Sequence, residues 1–162
     1  AQAGKVGWLF IHDRETGELI RRSAPFVPQE NLFARPTAEG VRVAPAAIGG
    51  CSWSPISVDL AQRRAFVAAA PMDKPLIGGV LATAGGLVFV GESSGRFSAF
   101  GSADGKPLWS DPVDAGVNAP PVTYAVYGRQ FVAVAAGGNA LFGFKTGDEL
   151  IAYALPDAVV TP

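Results

Sequence analysis

The sequence predicts an all-β fold, and three observations carry that reading. A helical period is almost absent: no amphipathic stretch of 10–15 residues separates the apolar runs, so βαβ units are not expected. Short runs rich in β-branched and aromatic residues recur instead, each bounded by Gly, Pro, Asp or Asn. Gly 20 and Pro 13 together make about a fifth of the 162 residues, against roughly 12% on average, so turns are dense.

Taken in order, strands are expected at 7–12, 56–59, 64–69, 79–83, 87–91, 96–100, 107–110, 121–125, 130–135 and 149–154. Gly85-Gly86, Ser94-Gly95, Asp104-Gly105 and Tyr127-Gly128 read as hairpin connections, since glycine takes the positive φ of a tight turn without a Cβ clash. The stretch 23–50 lacks alternation and holds Pro25, Pro28, Pro36 and Pro45. It reads as a long ordered connection with apolar anchors at Phe26, Val27, Leu32, Phe33, Val41 and Val43. Connections of that length inside a compact domain are usually functional or belong to a larger assembly.

Repeats refine the fold class. Gly7–Ile20 aligns without gaps on Gly95–Leu108: each copy has Gly, four strand residues, a polar turn ending in Gly, a charged residue and a further apolar strand. The second copy continues to Trp109. A second pair of strand–turn–strand units is centred on Gly86 and Gly128, 42 residues apart. A period near 40–45 with four short strands per unit is the arithmetic of a propeller blade. The chain therefore reads as a partial β-propeller of three to four blades, each a four-stranded antiparallel sheet. An open arc of blades leaves bare sheet faces and edges, so the remaining blades, or another subunit, are expected partners.

Composition excludes several classes. Hydrophobic residues make 49% and charged residues only 17%, which is not a disordered chain. A net charge of -1 is no electrostatic footprint for nucleic acid. No apolar run reaches 18 residues, so no helical membrane span is expected. Cys51 and His12 stand alone, which excludes an internal disulfide and a Cys/His zinc cluster. They read as a buried small thiol and a surface strand histidine. Ala1-Gln2-Ala3-Gly4-Lys5 lacks the apolar stretch of a signal peptide. That is compatible with a cytoplasmic chain, a processed one, or one cut from a longer polypeptide, and it does not exclude the periplasm.

Several motifs resemble one family. The turn Ala99-Phe100-Gly101-Ser102-Ala103-Asp104-Gly105-Lys106-Pro107-Leu108-Trp109 is similar to the tryptophan-docking motif of quinoprotein dehydrogenases, Ala-x-Asp-x-x-Thr-Gly-Lys-x-x-Trp. It carries Gly101 for the Asp and Asp104 for the Thr. The stretches Pro75–Phe89, Gly116–Tyr124, Gly128–Asn139 and Gly147–Pro156 also resemble that family. The resemblance implies the C-terminal part of an eight-bladed propeller enzyme dependent on pyrroloquinoline quinone (PQQ), of the alcohol/glucose type and periplasmic. In such enzymes the tryptophan stacks between neighbouring blades. A general-base Asp and a Ca²⁺ or lanthanide assist hydride transfer to the quinone, and electrons pass to a cytochrome or a membrane quinone.

The same resemblance places cofactor-facing slots. Gly49-Gly50-Cys51-Ser52-Trp53 stands where the family has Gly-Gly-x-Asn-Trp, so Ser52 holds the Asn slot with a shorter reach. Trp53 is equally compatible with strand packing. Ile77 holds a slot that is often Trp. Gly137, Gly138 and Asn139 resemble the last cofactor-facing loop, although the glycines also suit a plain blade turn. No residue matches the catalytic Asp or the metal ligands, so catalytic and metal residues are expected outside this chain. Asp13, Asp59, Asp73, Asp104, Asp111, Asp114 and Asp148 fall in turn or strand-end positions, where Asp satisfies its own backbone.

At Asp73–Lys74 two stretches abut that relatives hold a blade and a half apart. That predicts an internal loss there, in the gene or in the chain as given. Two other readings stand beside the enzyme: a non-catalytic propeller scaffold or accessory subunit, and a small self-standing β-sandwich.

Overall fold

The computed structural model describes residues 1–45, 49–51, 54–69 and 78–156. Among these residues twelve strands form four antiparallel sheets in chain order. Sheet I holds β1 (Gln2–Ala3), β2 (Leu9–His12) and β3 (Leu19–Arg22). Sheet II holds β4 (Ser57–Asp59) and β5 (Arg64–Phe66). Sheet III holds β6 (Val80–Ala82), β7 (Leu87–Glu92), β8 (Arg96–Gly101) and β9 (Pro107–Pro112). Sheet IV holds β10 (Val122–Val126), β11 (Arg129–Ala136) and β12 (Glu149–Ala154). Within every sheet the spatial order is the chain order, so each is a meander, the topology of a blade.

The expected strands all form. Sheet III alone among the described sheets has the full four strands; I and IV have three and II has two. The two-residue β1 had no signal in the sequence, because pairing with β2 at Gln2↔Phe10 and Ala3↔Leu9 creates it. β5 stops at Phe66 rather than at residue 69. Among the described residues the only helical element is a 3₁₀ turn, Ala140–Phe142.

Strand alternation explains the packing. On β8, Phe97 and Ala99 point to one face and Arg96, Ser98 and Phe100 to the other. The first face meets sheet IV. Phe97, Ala115, Val117, Val132, Val134 and Ala136 form one buried cluster, flanked by Leu81, Phe89, Ile151 and Tyr153. The opposite face meets sheet II through Ala68, Val80 and Val88, flanked by Phe66, Ala82 and Val90. Two bonds cross that second seam: Ala82 N–H donates to Ser57 Oγ at 2.8 Å, and Arg64 Nη1 donates to Ser102 O at 2.7 Å. The second cluster stops at β7, because sheet II offers only two strands. The outer half of that face is left as an open groove of about 460 Å³, lined by Glu92, Arg96, Ser98, Phe100, Leu108 and Ser110 among others.

The long connection folds back on sheet I. Phe26 N–H donates to Gly7 O, Gly50 N–H donates to Lys5 O, and Gln29 Nε2 donates to Val6 O. Phe33 stacks on Trp8. The apolar anchors at Phe26, Val27 and Phe33 therefore tie this segment to the sheet that precedes it.

Candidate functional site

Five segments converge at one end of the blades. Gly78 lies so close to its neighbours that an added Cβ would stand 2.8 Å from Gly91 O and 3.3 Å from Val117 O. Gly79 faces Pro55 and Pro120 in the same way, at 2.8 and 2.6 Å. Val117 N–H donates to Glu92 O at 3.0 Å, Gly116 N–H to Lys145 O at 2.9 Å, and Gly138 N–H to Gly116 O at 2.8 Å. Cys51 and Ser54–Pro55, with the segments 78–79, 91–95, 114–120 and 137–147, thus form one connected rim across sheets II, III and IV.

Of the residues expected to face a cofactor, Ser52, Trp53 and Ile77 lie outside the described residues, as does the junction 73–74. Their neighbours Cys51, Ser54 and Gly78 sit on this rim. The last loop is described, and its three residues divide. Gly138 is demanded by the fold: its φ is +63° and an added Cβ would collide with Lys145 O. Gly137 is exposed, with only Gly147 O near an added Cβ, at 3.8 Å, so a ligand can approach its backbone. Asn139 caps the 3₁₀ turn, its Oδ1 accepting from Leu141 N–H at 3.1 Å. That leaves its amide NH₂ for other partners.

Two residues that sequence reasoning gave no role also stand on the rim. Ser93 is buried and its Oγ donates to Asn118 Oδ1 at 2.6 Å. Asn118 Nδ2 is shut off from solvent without a hydrogen-bond partner. Asn118 lies inside Gly116–Tyr124, a stretch that the resemblance singled out as a whole, but nothing in the sequence showed which of its atoms would be left over.

The other titratable groups play mostly structural parts. The Cys51 thiol is buried, donates to Ser54 O at 3.6 Å, and is pushed up by that burial. His12 is exposed on β2. Asp13, Asp59 and Asp104 accept from nearby backbone N–H groups, as turn aspartates should. Asp111 differs: it accepts from Tyr153 O–H across the seam between sheets III and IV. Lys145 pairs with Asp114 at the rim, both exposed. Among the described residues no three His, Cys, Asp or Glu side chains come together, so these residues do not fit a metal site. A planar quinone carrying carboxylates needs donors and close backbone approach. Asn118 Nδ2 and the open Gly137 supply one of each, so the described rim fits PQQ in that respect.

Trp109 on β9 meets Tyr153 on β12 edge to face, ring centroids 5.1 Å apart. The docking tryptophan thus bridges two adjacent blades. Residues 67–132 match the family described as PQQ: Glucose/ethanol/alcohol dehydrogenase, beta-propeller domain. Over that stretch the chain is similar to the β-propeller of quinoprotein dehydrogenases. It is 42% identical over 89 residues to a quinoprotein glucose dehydrogenase of Escherichia coli, covering 54% of this chain and 11% of that protein. It is 41% identical over 92 residues to a 1-butanol dehydrogenase (cytochrome c) of Thauera butanivorans, covering 57% and 12%. A solved quinohemoprotein alcohol dehydrogenase from Pseudomonas putida HK5 superposes with a TM-score of 0.74 at 25% identity, over 95% of this chain and 36% of that one. This propeller segment spans about a tenth of the length of the curated relatives that it matches. Among the described residues no helix is long and apolar enough to cross a membrane.

Proposed function

We propose that this chain supplies blades and one rim of the cofactor pocket to a periplasmic PQQ-dependent dehydrogenase that oxidises an alcohol or a sugar. The observation that carries the reading is the convergence of five segments on one end of adjacent blades, with the family match running through three of them. Bound PQQ would supply the hydride-acceptor chemistry. The chain's own residues hold and shape: Gly137 leaves its backbone open to close approach, Asn139 and Asn118 offer amide donors, and the Trp109–Tyr153 seam keeps the two blades in register. The general base and the Ca²⁺ or lanthanide that polarises the quinone carbonyl belong to the remainder of the enzyme, as does delivery of electrons to a cytochrome or membrane quinone.

One observation favours a second reading, an accessory blade segment without chemistry: Ser52 and Ile77 stand at cofactor slots where the family pattern has Asn and, often, Trp. One experiment separates the two. The full-length protein is purified and assayed for bound PQQ by mass and absorbance, and for dye-linked oxidation of alcohols and sugars with added PQQ and Ca²⁺ or lanthanide. Bound cofactor with turnover supports the enzyme. Neither, after reconstitution, leaves the scaffold.

A further inference from the structure

Native proteins satisfy nearly all buried polar groups, and an exception calls for an explanation. Among the described side chains Asn118 Nδ2 is the one buried nitrogen or oxygen without a partner. Its orientation is held, because Ser93 Oγ donates to the other end of the same amide at 2.6 Å. Ser93 is itself buried, so the pair is locked between the β7–β8 turn and the connection from sheet III to sheet IV. That connection is where Gly116 O receives Gly138 N–H, two residues before Asn118 and one residue from the open backbone of Gly137. A fixed donor without an acceptor, near a loop whose backbone is exposed at Gly137, is the form of a prepaid binding contact: the cost of desolvating the amide is met on folding and recovered only when an acceptor arrives.

We propose that Asn118 is an anchoring residue of the cofactor pocket, its Nδ2 donating to a carboxylate or carbonyl oxygen of PQQ, with Ser93 as the positioning residue that fixes the amide. This rests on the PQQ reading above. An amide donor suits such an acceptor because it binds the oxygen without adding charge to the pocket.

The test uses the full-length apo-protein titrated with PQQ, followed by quenching of tryptophan fluorescence and by calorimetry. Asn118→Asp is the informative variant, because it keeps the shape and the acceptor for Ser93 and exchanges only the donor. It is expected to weaken PQQ binding about tenfold or more, and to regain affinity as the pH falls and the new carboxyl takes a proton. Asn118→Leu is expected to weaken binding similarly, with an apo melting midpoint at or above that of the parent, since an unpaired buried donor has been removed. Ser93→Ala, which frees the amide to turn, should weaken binding several-fold. If the parent binds PQQ and both Asn118 variants bind it equally well, the assignment is overturned and the donor serves an ordered water. An apo midpoint clearly lowered by Asn118→Leu, with the affinity of Asn118→Asp unchanged, overturns it in favour of a structural role. If the parent itself fails to bind PQQ, the functional reading falls first and this assignment with it.

Discussion

The turn between β2 and β3 and the turn between β8 and β9 come from the two copies of one sequence pattern, yet different side chains hold them. In the first, Asp13 Oδ1 accepts from the N–H groups of Glu15 and Thr16 and from the Thr16 hydroxyl. In the second, Gly101 stands at the Asp13 position and Asp104 at the Thr16 position, and Asp104 Oδ1 accepts from Lys106 N–H at 3.1 Å. The backbone is the same. Gly17 N–H donates to Asp13 O and Gly105 N–H to Gly101 O, and both glycines are left-handed, at +75° and +70°. The carboxylate has moved from one side of the turn to the other, and Gly101 makes room for it: an added Cβ there would stand 2.8 Å from Asp104 Oδ1. In both copies these hydrogen bonds hold the carboxyl below its ordinary range.

The copies differ more in what lies beyond the turn. The second runs into Trp109, which meets Phe97 and Tyr153; the first has the exposed Arg21 at that position. The pattern therefore encodes a turn in both places and a blade-to-blade staple in one. That separation can be broken experimentally, beginning with the core beneath the staple. Phe97 is fully buried and stacks on Phe89 and Tyr153. Phe97→Ala should cost about 3–5 kcal/mol in a denaturant titration. Its counterpart Leu9, only part-buried, should cost about 1 kcal/mol as Leu9→Ala. Equal losses would show that sheet I has an equally packed neighbour.

Next in size is the staple itself. Trp109 is 41% exposed, so Trp109→Ala should lose about 2 kcal/mol, less than a full core aromatic. Arg21→Ala should stay within about 0.5 kcal/mol. A smaller effect tests the exchange of carboxylates. Gly101→Asp alone should destabilise by about 1 kcal/mol, through crowding and like charge against Asp104. Adding Asp104→Thr should recover at least half of that, a coupling readable in a double-mutant cycle. Additive losses would mean that the two positions are independent.

The smallest expected effect is a pH dependence at the same seam. Burial, with the hydrogen bond to Asp111, pushes the Tyr153 phenol up to about 12 from an ordinary value of 10.0. A raised folded-state value means that the neutral phenol is the form the fold favours. Its contribution is whole below about pH 10 and is lost as pH rises through about 12. Melting midpoints of the parent should fall across that window. Tyr153→Phe should lower the midpoint at neutral pH and flatten the alkaline fall. An unchanged alkaline slope in that variant would remove Tyr153 from the account.

Most of the fold was legible because blade strands are short, apolar and punctuated by glycine: every expected strand forms, and the aligned repeats became β2–β3 and β8–β9. The site was legible only in part. The sequence pointed to the Gly137–Asn139 loop but could not show that Gly138 is held there by its contact with Lys145 O. It gave Asn118 no role, because an unsatisfied amide is a property of what surrounds it. It also left Asp111 among the turn and strand-end aspartates that satisfy their own backbone, although a strand from the next blade supplies its donor.

The division follows from range. Alternation, glycine spacing and turn chemistry act over a few residues, so the linear order of apolar and turn residues was enough to determine strands, hairpins and the repeat. Which faces become seams, which strands are missing from a sheet and which polar atoms find partners depend on contacts far apart in the chain, such as Ser93 with Asn118, 25 residues apart, and Tyr153 with Asp111, 42 apart. Only the packed sheets decide those, because a hydrogen bond or a buried face needs both of its sides in place.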